Sequence, residues 1–204
     1  MTQQTVGIVL VLLGLVGLLF SLWHKPADSQ VTAPKERPKL AVCRVLFVVD
    51  GDTVGCDLNG NGRYDKPIEL VRFLGVDTPE MHYSKKNPTY GTEHPEDEPF
   101  AQEASKLTQS LIPKGQALVL EYDINRTDPR GRTLAYVYRS PGNSLDIKNL
   151  DVKGMVSPAE ELLRCGYAEV LFFKPNIRHY QRYQALENHA RAAGQGRWGR
   201  VKPR

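Results

Sequence analysis

The sequence contains little cysteine, with only Cys43, Cys56 and Cys165 in a chain of 204 residues. These three form no CxxC pair and have no spacing typical of metal ligands, which argues against a zinc site. If the folded part is exported, at most one disulfide can form and one thiol is left over. The sequence does not indicate which two would pair.

Charge is absent from the first part of the chain, since no side chain before Lys25 carries a formal charge. Residues 6–23, VGIVLVLLGLVGLLFSLW, form an apolar run just long enough to cross a bilayer and longer than the usual core of a cleaved signal. A buried core helix would need a polar face, and only Ser21 offers one. We therefore predict an N-terminal transmembrane helix within residues 1–24, as an anchor or uncleaved signal.

Residues 25–39, KPADSQVTAPKERPK, are rich in proline and charge and predict a solvated linker. The folded domain should then occupy residues 40–200, with a basic tail at residues 201–204. The net charge of +4, from 27 basic and 23 acidic residues, decides nothing about a polyanionic partner, because a surface of mixed sign gives the same sum.

Five segments have the composition of β-strands: residues 40–50, 53–58, 67–75, 116–124 and 133–139. Helical signals occur in three segments: residues 99–111, 157–166 and 177–193. In the second, Ser157 can cap, Pro158 suits the first helical position and Glu160 closes a capping box. Five strands, turn-rich links and about three helices predict an α+β fold on a small closed barrel, and the OB-fold is the commonest five-stranded choice.

Charged side chains cluster where the third strand ends, in LVRFLGVDTPEM. A five-residue step from Arg72 to Asp77 would put the two on opposite faces of a regular strand. Gly75 lies between them and predicts a bend that brings both to one side, close to Glu80.

These residue types suit phosphate chemistry. Carboxylates of Asp52 and Asp77 and the carbonyl of Thr78 are oxygen ligands of the kind that a hard cation prefers. Arg72, with Arg132 in the loop NRTDPRGR, supplies planar guanidiniums that bind phosphate oxygens in pairs. From the residues alone, the alternative is that DGDT and DTPE are turns beside a salt bridge.

The motifs VVDGDTV, VRFLGVDTPE and TDPRGRTLAYVY, followed by MVSPAEELLRCGYAEV and RWG, resemble the staphylococcal nuclease (thermonuclease) family over roughly residues 41–199. The resemblance implies an OB-fold barrel with three helices that hydrolyses DNA and RNA with one calcium ion. It implies calcium ligands at Asp52, Asp77 and the Thr78 carbonyl. It also implies that Glu80 positions or activates the attacking water and that Arg72 and Arg132 bind the phosphate.

The chain departs from the family pattern at the predicted substrate contacts. Pro129 and Arg130 stand where the family often has a Lys-Tyr pair, so the resemblance does not extend to that part of the contact with a terminal phosphate, where Arg130 can substitute as a charge. Where relatives carry tyrosines against the base, Phe172 or Phe173 can stack but lacks the hydroxyl. The alternative for both rings is a place in the core.

A second calcium loop is suggested by DLNGNGRYD, which has the residue types of an EF-hand loop at four ligand positions: Asp57, Asn59, Asn61 and Asp65. Ile68, however, stands at position 12, where a bidentate acid is needed. The alternative is an Asn-Gly hairpin between two strands.

The sequence as a whole predicts a membrane-tethered, monomeric, calcium-dependent endonuclease of low sequence specificity, acting on DNA and RNA. The alternative is a noncatalytic OB-fold module that only binds nucleic acid, but such a module has little need for carboxylates that repel phosphate.

Two arguments about the location of the folded domain conflict. Basic residues follow the apolar run, which favours a cytoplasmic domain, whereas calcium supply and the hazard to a genome favour an extracytoplasmic one, or one secreted after cleavage. We predict the extracytoplasmic arrangement.

Overall fold

The barrel forms because five short segments rich in β-branched and aliphatic residues pair edge to edge until the sheet closes on itself. In the computed structural model, residues 39–82, 97–144 and 151–199 are described. Its barrel strands are β1 (Leu40–Val48), β2 (Thr53–Asp57), β3 (Leu70–Phe73), β5 (Ala117–Glu121) and β6 (Thr133–Arg139). The order around the barrel is β1-β2-β3-β6-β5, in which β3 and β6 run parallel and the other pairs antiparallel. This closed five-stranded barrel fits the predicted OB-fold.

A two-stranded sheet outside the barrel was not predicted. The segment expected as one strand, residues 67–75, forms β3 and then, after a break, β4 (Gly75–Asp77), which pairs antiparallel with β7 (Glu169–Leu171). Gly75 has φ of 86°, which an L side chain adopts only under strain, and a Cβ there would lie 2.5 Å from the ring of Phe172. The predicted bend at Gly75 is therefore confirmed, and it separates the two sheets.

The described residues form three α-helices. Of these, α1 (Ala101–Leu111) and α2 (Pro158–Arg164) pack on the barrel, and α3 (Tyr180–Ala192) packs on α2 and β7. Short 3-10 turns lie at Pro141–Asn143 and Gly196–Trp198. Each fully buried leucine, such as Leu118 in β5 or Leu162 in α2, contributes about 2 kcal/mol to the core. All described residues belong to one unit of the chain, Pro34–Arg204.

The capping box predicted for α2 is wrong. Ser157 does stand at the N-cap, but its hydroxyl makes no capping bond to the helix. Glu160 instead forms an ion pair with Arg182 of α3, with Nε and Oε1 2.6 Å apart. Glu160 thus pairs with Arg182 of another helix and not with the Ser157 cap of its own helix.

Several predictions concern residues that lie outside the described ones: the transmembrane helix within residues 1–24, most of the linker at 25–39 and the tail at 201–204. Among the residues that the structure does describe, no helix is long and apolar enough to span a membrane.

Candidate active site at the end of the third strand

The first turn of the barrel holds Asp52 in a fixed, buried position. Its side chain is fully buried, and Oδ2 accepts hydrogen bonds from the amide (2.8 Å) and hydroxyl (2.9 Å) of Thr78. The carbonyl of Asp52 accepts the amide of Phe73 at 2.8 Å. Asp52 is thereby joined both to β3 and to the segment after β4.

Gly51 has no room for a side chain, because a Cβ would lie 2.7 Å from Thr78 Cγ2 and 2.8 Å from the Cβ of Ala104 in α1. The hydroxyl of Thr108, also in α1, donates to the Gly51 carbonyl at 2.6 Å. Helix α1 therefore supports the turn that carries Asp52.

Arg72 lies between the two predicted metal-binding carboxylates. Its guanidinium forms ion pairs with Asp52 Oδ1 and Asp77 Oδ1, and Nη2 donates to the Val76 carbonyl at 3.2 Å. The arginine side chain is 14% exposed and that of Asp77 is 38% exposed, so the pair lies at the edge between the interior and solvent. The bend at Gly75 accounts for this approach of Arg72 and Asp77.

Burial and neighbouring charge alter the acidity of two carboxyl groups beside Arg72. Burial raises the pKa of Asp50 to about 6, against the lowering effect of the Arg72 guanidinium. Partial burial of its carboxyl also raises the pKa of Glu80, and the carboxylate of Asp50 acts in the same direction. Glu80 is nevertheless exposed, so its carboxyl group can meet a ligand from solvent.

The opposite side of the site is the turn at residues 127–132. Arg132 donates from Nε to Asp128 Oδ2 at 2.6 Å, and its amide donates to Asp128 Oδ1 at 2.9 Å. A groove of about 600 Å³ runs between the two sides, lined by the predicted catalytic residues Arg72, Glu80 and Arg132 and by Asp77, Arg130 and Phe173. The structure thus brings together side chains that are far apart in the sequence.

The two predicted stacking residues are separated. Phe173 is 72% exposed and lines the groove. Phe172 instead packs on the core, with ring centroids 5.4 Å from Tyr180 and 5.7 Å from Tyr183. Phe172 thus fits the alternative of a place against the core, and stacking on substrate stays a prediction that the exposed Phe173 suits better.

The predicted donor set fits a hard cation in composition and charge. Asp52 and Asp77 carry two carboxylates, and both form ion pairs with the one guanidinium of Arg72, so these three side chains have a net negative charge. The Thr78 carbonyl would add a neutral oxygen ligand. Within residues 39–82, 97–144 and 151–199, no three His, Cys, Asp or Glu side chains converge as a metal site.

The loop DLNGNGRYD begins the connection of residues 58–69 between β2 and β3, which pair antiparallel as in the hairpin alternative, although the connection is longer than a two-residue turn. Asp57 accepts the amides of Gly60, Asn61 and Gly62 at 2.7 to 3.0 Å. The side-chain amides of Asn59 and Asn61 both donate to Asp65 Oδ2 at 2.8 Å.

The exposed Ile68 occupies the position of the missing acid in this loop. Its neighbour Glu69 is buried, and its carboxylate accepts the amides of Leu58 (2.9 Å) and Asp65 (2.6 Å). The loop is therefore closed by its own hydrogen bonds.

Sequence reasoning missed two acids beside the groove. Asp128 begins the turn that carries Arg132, and an aspartate before Pro-Arg-Gly is a common turn signal that could have found it. Glu98 contacts the main chain of Glu80, and no local pattern indicates that contact.

Fold and site together define a small five-stranded barrel with carboxylates and guanidiniums facing one another across a surface groove. The family model for staphylococcal nuclease homologues matches residues 70–200. The chain belongs to the staphylococcal nuclease family.

Curated relatives agree with this assignment. The chain is 27% identical over 198 residues to a thermonuclease of Staphylococcus hyicus, covering 97% of this chain and 99% of that protein. It is 29% identical over 179 residues to a thermonuclease of Staphylococcus intermedius, covering 88% of each. It is also 32% identical over 154 residues to the SPbeta prophage-derived endonuclease YokF of Bacillus subtilis (strain 168), covering 74% of this chain and 42% of that protein.

Proposed function

We propose that this nuclease hydrolyses phosphodiester bonds of both DNA and RNA, with low sequence specificity and with calcium as its cofactor. The observation that carries the proposal is the position of Arg72 between Asp52 and Asp77 at the edge of the groove. Arg132 and Glu80 line the same groove. These are the residue types that bind and cleave a phosphodiester.

Calcium would be held by the carboxylates of Asp52 and Asp77 and by the Thr78 carbonyl. When bound, the ion supplies positive charge for the phosphoryl oxygens and for the attacking water. Asp52 is suited to this role because Thr78 already fixes its orientation from the other side.

Arg72 and Arg132 would bind the two nonbridging oxygens of the scissile phosphate. In-line attack increases the negative charge on these oxygens, and guanidiniums already held in position stabilise that charge without reorganisation. Arg72 is held by two carboxylates and Arg132 by Asp128, so neither needs to be ordered when substrate binds.

Glu80 would orient the attacking water and accept its proton. The raised pKa of Glu80 brings its proton affinity closer to neutral pH, which improves a carboxylate as a general base. Its exposed position at the groove allows water to reach it.

Low sequence specificity is supported by the kind of side chains along the groove. Phe173 offers a face on which any base can stack, and Arg130 and Lys174 offer charge for the backbone. In the part of the chain that the structure describes, no helix has the arrangement of a base-reading element, since all three pack on the barrel or on one another.

The alternative function is a noncatalytic nucleic-acid-binding module, and one experiment separates the two. The purified full-length protein is mixed with plasmid DNA or single-stranded RNA, in calcium or in a chelator, with Arg72→Lys as control for a copurified nuclease. We expect calcium-dependent degradation of both substrates by the wild type only. Intact substrate that shifts in a gel would favour the binding module and contradict the proposal.

We further propose that residues 1–24 anchor the enzyme, that residues 25–39 form a linker and that the monomeric domain of residues 40–200 faces away from the cytoplasm. This rests on the apolar run at residues 6–23 and on the scarcity of calcium in cytosol. Protease added to intact cells or spheroplasts should digest the domain while cytoplasmic marker proteins survive. Protection until the membrane is broken would place the domain inside, and release of the domain into the medium would indicate signal cleavage.

A further inference from the structure

The main chain of Glu80 is bonded in both directions to one residue, Glu98. The amide of Glu98 donates to the Glu80 carbonyl at 3.1 Å, and the amide of Glu80 donates to Glu98 Oε2 at 3.1 Å. Two residues further along, the amide of His82 donates to Asp97 Oδ1 at 2.7 Å. We call the reciprocal pair of bonds between Glu80 and Glu98 the glutamate clamp.

The clamp connects Glu80 to helix α1. The Glu98 carbonyl accepts the amide of Ala101, the first residue of α1, at 3.0 Å. Ala101 and Ala104 are fully buried, so this end of the helix is fixed against the protein interior. The same helix bonds the Gly51 carbonyl through Thr108 at 2.6 Å.

Helix α1 therefore supports both segments that carry the site carboxylates Asp52 and Glu80. Through Thr108 it holds the turn that carries Asp52, and through the clamp it holds the segment that carries Glu80. Proximity effects depend on such support, since misplacement of a reacting group by about 1 Å can cost about 100-fold in rate. Glu80 is exposed, so side-chain packing contributes little to fixing it.

We propose that Glu98 is a positioning residue that, by clamping the main chain of Glu80, holds the Glu80 carboxylate in register with Arg72 and Asp52. The inference rests on the proposed nuclease function for its effect on rate. The clamp itself is a structural relationship that can be measured without substrate.

Two variants separate the reach of the Glu98 side chain from its charge. Glu98→Gln keeps a side-chain oxygen at the same distance but loses the charge. Glu98→Asp keeps the charge but withdraws the oxygen by one methylene. The geometric role requires that Gln substitute well and Asp poorly, whereas a purely electrostatic role requires the opposite order.

The experiment measures kcat, KM and the unfolding free energy for Glu98→Ala, Glu98→Gln and Glu98→Asp in the full-length protein with calcium. Glu103→Ala, which removes an exposed acid from the same helix, is the matched control. We expect Ala and Asp to lower kcat by about 10-fold to 100-fold with KM changed less than about twofold. Gln and the control should stay within about threefold of wild type.

Hydrogen exchange at the Glu80 amide is the second readout and needs no activity. Exchange should accelerate in Glu98→Ala and Glu98→Asp but not in Glu98→Gln. Inactive wild type with the expected exchange pattern would refute the nuclease proposal while supporting the clamp. Two results in Glu98→Ala would overturn the inference: unchanged exchange at the Glu80 amide, or normal kcat in the folded variant. The inference would also fail if Glu98→Gln were as slow as Glu98→Ala, or if the loss of kcat were explained by the unfolded fraction.

Discussion

Arg132 and Asp128 form a two-point contact, in which the guanidinium Nε and the main-chain amide of Arg132 bond to different oxygens of one carboxylate, at 2.6 and 2.9 Å. Burial alone would raise the pKa of Asp128, but the hydrogen bonds from Arg132 outweigh that effect and lower it. The contact aims the guanidinium into the groove before any substrate arrives. Asp128 thus supports the proposed phosphate site by holding Arg132.

We expect Asp128→Ala to lower kcat/KM by about 10-fold to 100-fold, because the Arg132 guanidinium is no longer held in place. Asp128→Asn, which keeps one oxygen acceptor, should lie between. Steady-state cleavage of a short oligonucleotide measures the effect. Asp151→Ala is the control, since Asp151 also accepts a turn amide, that of Lys153, and does not line the groove. Equal losses in the two alanine variants would contradict a specific role for Asp128.

The predicted catalytic side chains should act mainly in the transition state. Arg72→Lys, Glu80→Ser and Arg132→Gly are each expected to lower kcat by about 100-fold to 10,000-fold while the protein remains folded. Circular dichroism melts check the fold, and Arg126→Lys, at an exposed arginine on the strand-connecting loop, serves as control. Near-normal turnover in any folded variant would remove that residue from the catalytic set.

Asp52→Asn should change the calcium requirement. Loss of one ligand charge weakens binding of a hard cation, so we expect the calcium concentration at half-maximal activity to rise about tenfold. Calcium titrations of activity and, separately, of binding by calorimetry measure the change. An unchanged calcium midpoint with reduced kcat would mean that Asp52 does not bind the metal.

The loop at residues 57–65 offers a test of two explanations. Because Asp57 accepts three backbone amides, Asp57→Ala is expected to lower the unfolding free energy by about 1–2 kcal/mol, with or without calcium. The measurement is made in an Asp77→Ala background, which weakens the predicted active-site metal. A thermal midpoint that rises with calcium in Asp77→Ala and no longer does so in the double variant would instead establish a second calcium site.

Glu121 should make stability depend on acid pH. Its burial would raise its pKa, but hydrogen bonding and charge from His179, with contributions from Tyr138 and Arg178, lower it below the usual 4.5. The folded state then binds the Glu121 proton less readily than the unfolded state does. The resulting stabilisation is complete above pH 4.5 and is lost as the pH falls through the lowered folded-state value.

We expect Glu121→Gln to reduce the unfolding free energy by about 3 kcal/mol at neutral pH and to flatten its decline in acid. Urea unfolding across this range measures both effects. A parallel acid decline in wild type and variant would show that other groups dominate the acid response.

Local signals in the sequence were sufficient for most elements. The helices at residues 99–111, 157–166 and 177–193 differ from α1, α2 and α3 mainly at their ends, because helical periodicity is a short-range property. The barrel strands were predicted from their residue composition, which is likewise a property of short segments. The identity of the charged residues at the groove also followed from motifs, each of which lies on one turn or one strand end.

Contacts between distant segments could not be found in this way. The pairing of β4 with β7 joins residues 75–77 to residues 169–171. Just beyond β7, Phe172 packs on the core while Phe173 is exposed at the groove. Likewise, Glu160 had a plausible local partner in the Ser157 cap, yet it forms an ion pair with Arg182 from α3.

The sequence by itself thus indicated which residues are candidates to bind phosphate and a hard cation, since residue type and motif spacing are local. Only the tertiary structure decided what holds Gly51 and Glu80 in place, namely helix α1 through Thr108 and Glu98. The physical reason is that a hydrogen bond depends on distances of a few tenths of an ångström between atoms. Such distances are set by the packing of helix against barrel and leave no periodic pattern along the chain.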